Sequence, residues 1–290
     1  MALATPQLSS FVDTAMKRLI NLTPSRGGRW LLGLLPFLLL AMLYISLSNA
    51  RLAENPNDRL LPTPANMAST FYHLATAENA RTGQIVLWAD TFASLERIVI
   101  GVGISAFIGL IIGIVSGGLP ILRAKLSPLV TVASLIPPMA ILPILFIAFG
   151  TGEAAKIALI VIGVTPFLIR DLQGHALRLP DEQLIKAQTL GASSWQVLLR
   201  VLLPQLTPRL LNATRLALGT AWLFLIAAEA IAAQEGLGYR IFLVRRYLSM
   251  DIILPYVAWI TLLAFLLDQL LAWVSRLAFP WYHSGEGDNA

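Results

Sequence analysis

Charged residues lie within two apolar runs of the chain. Glu96 and Arg97 lie near the start of one run, and Glu229 lies late in another. A charge at the centre of a lipid-embedded helix costs about 2.5–3.5 kcal/mol, so such side chains usually face protein or water. Two interpretations are open. Arg97 and Glu229 form a buried ion pair beside a polar pathway, or Arg97 extends to the interface while Glu229 bonds nearby backbone.

Motifs of the common catalytic and metal sites are missing from the sequence. It contains no Gly-x-x-x-x-Gly-Lys-Ser/Thr, no His-Glu-x-x-His and no Gly-x-Ser-x-Gly. Its histidines, His73, His175 and His283, lack metal-ligand spacing. The absence of cysteine excludes disulfides and thiolate chemistry. We therefore expect no catalytic site, no metal site and no cofactor bound by this chain.

The composition requires a lipid environment for most of the chain. Of 290 residues, 57% are apolar and 13% are charged, whereas soluble domains carry roughly 25% charged residues. A spanning helix needs about 20 mainly apolar residues. Six segments approach that length, and we predict an all-α polytopic membrane protein with about six transmembrane helices. The segments are 30–47, 91–116, 129–149, 154–169, 210–232 and 252–273.

The distribution of lysine and arginine predicts which ends face the cytoplasm. An N-terminus inside places most basic residues on the cytoplasmic side. The net charge of +5 is then a topology signal, and nucleic-acid binding is not expected. We predict a cytoplasmic segment 1–28, a membrane domain 29–275 and a cytoplasmic tail 276–290. Residues 11–20 form either a surface amphipathic helix or part of a poorly ordered tail.

Small residues recur at every fourth position of the second apolar run. They are Gly101, Ser105, Gly109, Gly113 and Gly117. This spacing aligns them on one helix face, where small side chains let two backbones approach closely. A tight helix crossing within one subunit is the preferred interpretation, and a dimer seam is the alternative.

Prolines concentrate in the third apolar run, at positions 128, 137, 138 and 143. Each removes a backbone donor and kinks or breaks a helix, and the freed carbonyls need protein or water as partners. The stretch around Ser134 and Pro137 therefore faces a pathway or only shapes the bundle. The candidate pathway residues are Arg97, Ser134, Pro137, Trp222 and Glu229.

A polar stretch, 171–209, separates two spans. Asp181 is expected to cap a helix over 182–190, and Gly191 to close it in a left-handed conformation. Ser193 or Ser194 would cap a second helix that Pro204 and Pro208 interrupt or end. Apolar residues of both helices would be exposed beside the membrane. They are Leu184, Ala187, Leu190, Trp195, Leu198, Leu199 and Leu202.

This stretch resembles the permease subunits of binding-protein-dependent ABC importers. Their motif is Glu-Ala-Ala, three residues, Gly, nine residues, Ile-x-Leu-Pro. Ala187, Gly191, Leu203 and Pro204 match it, and Val201 replaces the isoleucine. Positions 185 and 186 depart from it, with Ile and Lys in place of Glu and Ala. The flanking sequence 189–196, with Ala-Ala-Glu at 227–229, is most similar to the nitrate, sulfonate, taurine and bicarbonate branch.

The resemblance implies a type I importer permease fold in a bacterial inner membrane. Its expected partners are a second permease subunit in a homodimer, two ATPase subunits that bind ATP and Mg²⁺, and a soluble substrate-binding protein. The ATPases would dock on the polar stretch. The residues expected to couple them are Leu184, Ala187, Leu190, Gly191, Ala192, Ser193, Trp195, Leu203 and Pro204.

Two other classes of function stay open at the level of sequence. A self-contained secondary transporter or channel would favour an inverted repeat of spans, and none is visible. A membrane enzyme would need convergent catalytic groups. The sequence alone identifies neither the solute nor the residues that contact it.

Overall fold

The computed structural model describes residues 25–55, 58–79 and 83–283. The segment predicted as amphipathic, 11–20, and the tail from 284 lie outside the described residues. Within them the secondary structure is helical, apart from an isolated antiparallel bridge between Glu78 and Ile85. The prediction of an all-α chain is confirmed.

The α-helices are numbered here in chain order. They are α1 Arg26–Glu54, α2 Pro64–Thr76, α3 Val86–Gly118, α4 Pro120–Leu135, α5 Pro138–Phe149, α6 Glu153–Ala176, α7 Asp181–Thr189, α8 Ser194–Val197, α9 Leu203–Ala232, α10 Leu237–Val244, α11 Met250–Ala278 and α12 Pro280–His283. A π-helical turn, Leu198–Leu202, joins α8 to α9, and a 3₁₀ turn, Arg245–Tyr247, follows α10.

The chain divides into two compact units, Met1–Pro64 and Ala65–Ala290. In the first unit, α1 begins after Ser25, whose hydroxyl accepts a hydrogen bond from the Gly28 amide. The hydroxyls of Tyr44 and Ser48 donate to the carbonyls of Pro62 and Leu61. These bonds hold the segment after the helix against the side of α1.

Four helical stretches of the described residues are long and apolar enough to cross a membrane: α1, α3, the continuous stretch Ser194–Ala232 formed by α8, the π turn and α9, and α11. A fifth crossing is formed if α4 and α5, bent by 94° at their junction, count as one span. The predicted fourth span, 154–169, lies within the 24-residue helix α6, which does not meet the same test. The count by length and composition is thus four or five, close to the predicted six.

Helices α3 and α6 run in the same direction with their backbones in close contact. A Cβ added at Gly101 would lie 2.9 Å from Ile160, one at Gly109 would lie 2.8 Å from Leu168, and one at Gly113 would lie 2.7 Å from Leu172. Parallel neighbours require the chain to return between them, so α4 and α5 together carry it back across the bundle. Helix α6, with Leu168 and Leu172 fully buried, lies at the centre of this unit.

Helix α9 packs on α6 with the opposite direction. The ring of Phe224 covers Gly163, and the guanidinium of Arg209 forms two hydrogen bonds with Asp171, at 2.9 Å from Nε and 2.6 Å from Nη2. Helix α11 joins α9 through a two-bond ion pair between Arg215 and Asp268. Residues from α3, α6 and α9 therefore form the main part of the core.

The prolines of the third apolar run differ in whether they break the helix. The helix breaks at Ile136, which adopts φ −74° and ψ 122° before Pro137, because a residue that precedes proline is pushed out of the helical region. Pro137 and Pro138 then remove two successive amide donors. Pro128 and Pro143 lie inside α4 and α5. Only the central pair of prolines breaks this run.

Candidate functional site

The polar stretch folds as a helix, a left-handed glycine and a second helix. Gly191 has φ +82°, and the Ala192 amide donates to the Ala187 carbonyl at 2.9 Å, which closes α7 in the predicted way. The prediction that Asp181 caps α7 is wrong. Asp181 is the first helical residue, Pro180 occupies the cap position and no side chain caps this end.

Helix α8 begins with a capping box. The Ser193 hydroxyl accepts from the Gln196 amide at 3.3 Å, while the Gln196 side-chain oxygen accepts from the Ser193 amide at 2.8 Å. Two amide donors that the helix leaves unpaired are satisfied in this reciprocal way. Of the two serines predicted as caps, Ser193 is the one used. The turn between α7 and α8 is therefore fixed by its own local bonds.

Large apolar side chains project from this pair of helices. We call Ile185, Leu190, Trp195 and Leu199 the elbow surface; all four are exposed, Leu190 to 87% and Trp195 to 65%. Leu184 and Ala187 are half-buried.

Two residues predicted to be exposed are part of the core. Leu198 is 4% exposed and Leu202 is 1% exposed, and their side chains occupy the space beside Gly118 at the end of α3. The prediction was wrong here because a glycine on another helix makes room for both leucines. The same face anchors the elbow surface to the bundle.

The expected interruption at Pro204 and Pro208 does not occur. The π turn Leu198–Leu202 leads directly into α9, with Pro204 in its first turn and Pro208 inside it. Proline is tolerated at a helix start because the first amides have no intrahelical partner. Leu203 and Pro204 are thus the beginning of a long helix rather than the end of a short one.

At the opposite end of α9, Arg97 lies at the centre of a buried ionic cluster. Its Nη1 atom lies 2.6 Å from Glu229 Oε1, and its Nη2 atom lies 2.8 Å from Glu153 Oε1. Nη1 also donates to the carbonyl of Glu235 at 2.9 Å. Arg97 and Glu229 are both buried. The buried ion pair is confirmed, whereas its position beside a polar pathway stays a prediction; the interpretation in which Arg97 extends to the interface is wrong.

Glu229 also binds backbone, so part of the alternative interpretation is correct. Its Oε2 atom accepts from the Gly238 amide at 2.8 Å, and Oε1 accepts from the Ser94 hydroxyl at 2.8 Å. The Ser94 hydroxyl in turn accepts from the Leu237 amide at 2.9 Å. The first amides of α10 are therefore held by side chains from α3 and α9.

A second carboxylate, Asp90, ties the same short helix from the other side. It accepts from Arg240 Nε at 2.8 Å, from the Tyr256 hydroxyl at 3.1 Å and from the Gly236 amide at 3.0 Å. The sequence predictions did not include these residues. A carboxylate just before the second predicted span, and an arginine between the last two predicted spans, were the available signals.

The largest cavity among those described lies near the broken helix and has a volume of about 650 Å³. Ser134 lines it, and its hydroxyl donates to the Val130 carbonyl at 2.6 Å. Pro137 precedes the lining residue Pro138. Trp222 is buried in the core. The candidate pathway residues are therefore not brought together: Ser134 faces this cavity, and Arg97 with Glu229 lies outside it.

Comparison with known proteins identifies relatives over most of the chain. The family model of the binding-protein-dependent transport system inner membrane component matches residues 105–280. The taurine transport system permease protein of Escherichia coli (strain K12) is 37% identical over 197 residues, which cover 68% of this chain and 71% of that protein. The bicarbonate transport system permease protein of Synechococcus elongatus is 36% identical over 194 residues, covering 66% and 69%.

A further relative and a solved structure agree with these matches. A putative aliphatic sulfonates transport permease protein of Bacillus subtilis (strain 168) is 29% identical over 230 residues, covering 79% of this chain and 80% of that protein. A chain of the MetNI methionine ABC transporter in an inward-facing conformation superposes with a TM-score of 0.59 at 23% identity, covering 66% of this chain and 95% of that one. At this identity the likeness shows the fold, which is that of a type I importer permease.

The helix-Gly-helix elbow, the apolar spans and the family match over more than half of the sequence agree with one another. The chain belongs to the family of binding-protein-dependent transport system inner membrane components, the permeases of ABC importers.

Proposed function

We propose that this permease carries a small sulfonate or related oxyanion across a bacterial inner membrane after delivery by a soluble binding protein. The proposal is supported by relatives whose names specify taurine, bicarbonate and aliphatic sulfonates. Two copies of the chain enclose the pathway, and both termini face the cytoplasm. ATP is bound and hydrolysed by two separate ATPase subunits, since the sequence has no P-loop.

The observation that carries the proposal is the elbow surface. Side chains as large as Leu190 and Trp195 are exposed on a segment whose other exposed residues are mostly polar. Exposed apolar patches of this kind mark interaction sites in proteins. An ATPase subunit with a complementary groove would bury these side chains and gain roughly 25 cal/mol for each Å² of apolar surface removed from water.

The elbow is built to transmit movement. The capping box at Ser193 and the closing bond at Ala192 fix the angle between α7 and α8. Leu198 and Leu202 are buried against Gly118 at the end of α3. Because closely packed interiors resist compression, a push on Trp195 reaches α3 and α9 as a rigid-body displacement. Closure of the ATPase subunits would in this way drive the pathway between its two openings.

The absence of cysteine allows a direct test of this docking. A Leu190→Cys variant, assembled with its ATPase subunit carrying single cysteines along the facing groove, is expected to form a disulfide upon mild oxidation. Thr151→Cys is the matched control, because Thr151 is exposed beyond the far end of the bundle, next to the start of α6. Equal crosslinking of both variants, or none from Leu190→Cys at any groove position, would contradict the proposed docking surface.

Reconstitution distinguishes the importer from a self-contained transporter. Vesicles that contain the permease, the ATPase subunits and the binding protein are expected to accumulate solute only when ATP is supplied. Accumulation by the permease alone with an ion gradient would overturn the proposal.

A further inference from the structure

The cavity beside the broken helix carries an excess of positive charge. Three arginines line it, Arg170, Arg178 and Arg209, together with His175 and the single carboxylate of Asp171. Asp171 is already engaged by the two hydrogen bonds from Arg209 and lies 3.7 Å from His175 Nδ1. Among the arginines of the lining, two positive charges remain that no lining carboxylate balances.

Arg170 and Arg178 are the source of this excess. Among the carboxylates of residues 25–55, 58–79 and 83–283, none lies within ion-pair distance of either guanidinium, although six other arginine and lysine residues of the same range have ion pairs. A guanidinium presents several N–H donors in a planar fork that matches the oxygens of a sulfonate, phosphate or carboxylate. The arginines are thus equipped for an anion that the described residues do not supply.

The geometry of α6 leaves space for such an anion. Arg170 and Gly174 stand one helical turn apart in α6, and Arg178 lies just beyond the end of that helix; all three line the cavity. An added Cβ at Gly174 would meet nothing within 4 Å. Pro166 and Phe224 close part of the remaining wall. A volume of about 650 Å³ accommodates a small solute together with water.

Membrane topology alone does not account for the arrangement. Basic residues accumulate at the cytoplasmic end of a permease to fix its orientation, and any surface position serves that purpose. Arg276, exposed near the end of α11 and outside the cavity lining, is a residue of that kind. Arg170 and Arg178 are exposed as well, but unlike Arg276 they share one concave space with a third arginine, Arg209.

We infer that this cavity is an oxyanion-binding site, in which Arg170 and Arg178 hold the negatively charged group of a small solute within the permease. The inference deepens the proposed function, on which it rests for the identity of the solute. The same chemistry would also accept the phosphate of an anionic lipid, and the experiment separates the two sources.

The test measures binding of radiolabelled ethanesulfonate to the purified full chain in neutral detergent by equilibrium dialysis at constant ionic strength. We expect saturable binding of one anion per chain, with no competition from ethanesulfonamide, the uncharged analogue. The double variant Arg170→Gln/Arg178→Gln is expected to raise the Kd at least about tenfold. Arg276→Gln, the matched control, is expected to leave it within about twofold.

A second variant tests the space rather than the charge. Gly174→Leu retains every arginine but adds a large side chain to the cavity lining, and we expect it to weaken ethanesulfonate binding as strongly as the double variant. It also keeps the inference testable if the double variant does not fold. No saturable binding, equal competition by ethanesulfonamide, or an equal loss in Arg276→Gln would overturn the site.

Lipid composition distinguishes the two sources of the anion. Binding of ethanesulfonate in phosphatidylcholine nanodiscs that persists after addition of phosphatidylglycerol supports a solute site. Competitive loss with phosphatidylglycerol supports the same oxyanion site with a lipid headgroup as its occupant. ATP-driven uptake by the assembled importer with no anion binding to the permease would overturn this site and leave the proposed function standing.

Discussion

Arg97 and Glu229 form a buried ion pair, with 2.6 Å between Nη1 and Oε1, although 132 positions separate them in the sequence. The pair joins α3 to α9 at the end of the bundle where α10 begins. Every oxygen of the Glu229 carboxylate has a donor, from Arg97, Ser94 or the Gly238 amide. Such full satisfaction is what makes a buried charge tolerable.

Neutralising one partner of this pair is expected to destabilise the permease strongly. Glu229→Gln leaves the Arg97 charge buried with only Glu153 opposite it, and the loss should be about 3 kcal/mol, at the lower end for a broken buried pair. Equilibrium unfolding in mixed micelles measures it. Glu96→Gln is the matched control, since Glu96 is exposed beside Arg97, and its effect should stay within about 0.5 kcal/mol. Similar losses in both variants would contradict the role of the pair.

Reversing both charges should not restore stability. In Arg97→Glu/Glu229→Arg, the new arginine would face the Gly238 amide, a donor, and the new glutamate would face Glu153. We expect the free energy of unfolding of the double variant to be no higher than that of the less stable single reversal. Recovery to near the parent free energy of unfolding would show that the surrounding donors and acceptors matter little.

The contact between α3 and α6 predicts a sharp difference between two glycines of one helix. Gly113→Ala places a Cβ 2.7 Å from the Leu172 Cβ, and overpacking of this kind costs about 1–3 kcal/mol. Gly103→Ala meets nothing within 4 Å and should be neutral, or stabilising by up to about 1 kcal/mol through helix propensity. Thermal unfolding in detergent compares the two. An equal shift in both melting temperatures would contradict the close approach of the helices.

The elbow depends on the backbone conformation of Gly191. Gly191→Ala meets no steric obstacle but places a side chain at φ +82°, which costs roughly 1–2 kcal/mol. We expect faster hydrogen exchange over 181–199 and weaker stimulation of the ATPase partner, with little change in global unfolding. Gly219→Ala, inside α9 with equally open space, provides the control. Unchanged exchange in Gly191→Ala would contradict a strained elbow.

Spin labels can measure the break before Pro137. For labels at Ile121 and Ile147, both exposed, a bend of 94° gives a backbone separation of about 27 Å, against about 39 Å for one continuous helix, at 1.5 Å rise per residue. The cysteine-free sequence lets both labels be placed without background. Pulsed electron paramagnetic resonance in nanodiscs gives the distance, and a single population near the longer value would rule out the break.

The local features of the elbow could be predicted from sequence because their causes lie within a few residues. Gly191 follows an amphipathic turn, and Ser193 stands three residues before Gln196, the spacing of a capping box. The apolar spans could be predicted for the same reason, since each depends on the length of one continuous apolar run. Asp181 is the exception, because Pro180 occupies the cap position that was assigned to it.

The long-range contacts could not be predicted in the same way. Pairing of Arg97 with Glu229 was one of two interpretations, because the residues around Arg97 do not determine which distant helix packs beside it. Asp90, Arg240 and Tyr256 were missed since their charges and hydroxyl meet only after α3, α10 and α11 have packed. The exposure of Leu198 was misjudged because Gly118, eighty positions earlier, determines it.

The error at Pro204 and Pro208 has a different cause. Each proline was expected to interrupt or end a helix. In the structure a π turn leads into α9, and Pro204 lies in the first turn of α9. Such a turn carries no sequence signal as clear as a glycine or a cap. The elbow therefore leads without a gap into α9, a 30-residue helix that packs on α6.

With no layer of side chains between Gly109 and Leu168 or Gly113 and Leu172, α3 and α6 have no clearance in which to slide. Sliding of either helix would bring a leucine Cβ of α6 into the backbone of α3. We therefore expect the two helices to move as one rigid unit. A change in the width of the pathway then requires movement elsewhere in the chain. We expect that movement at the break in front of Pro137, between α4 and α5.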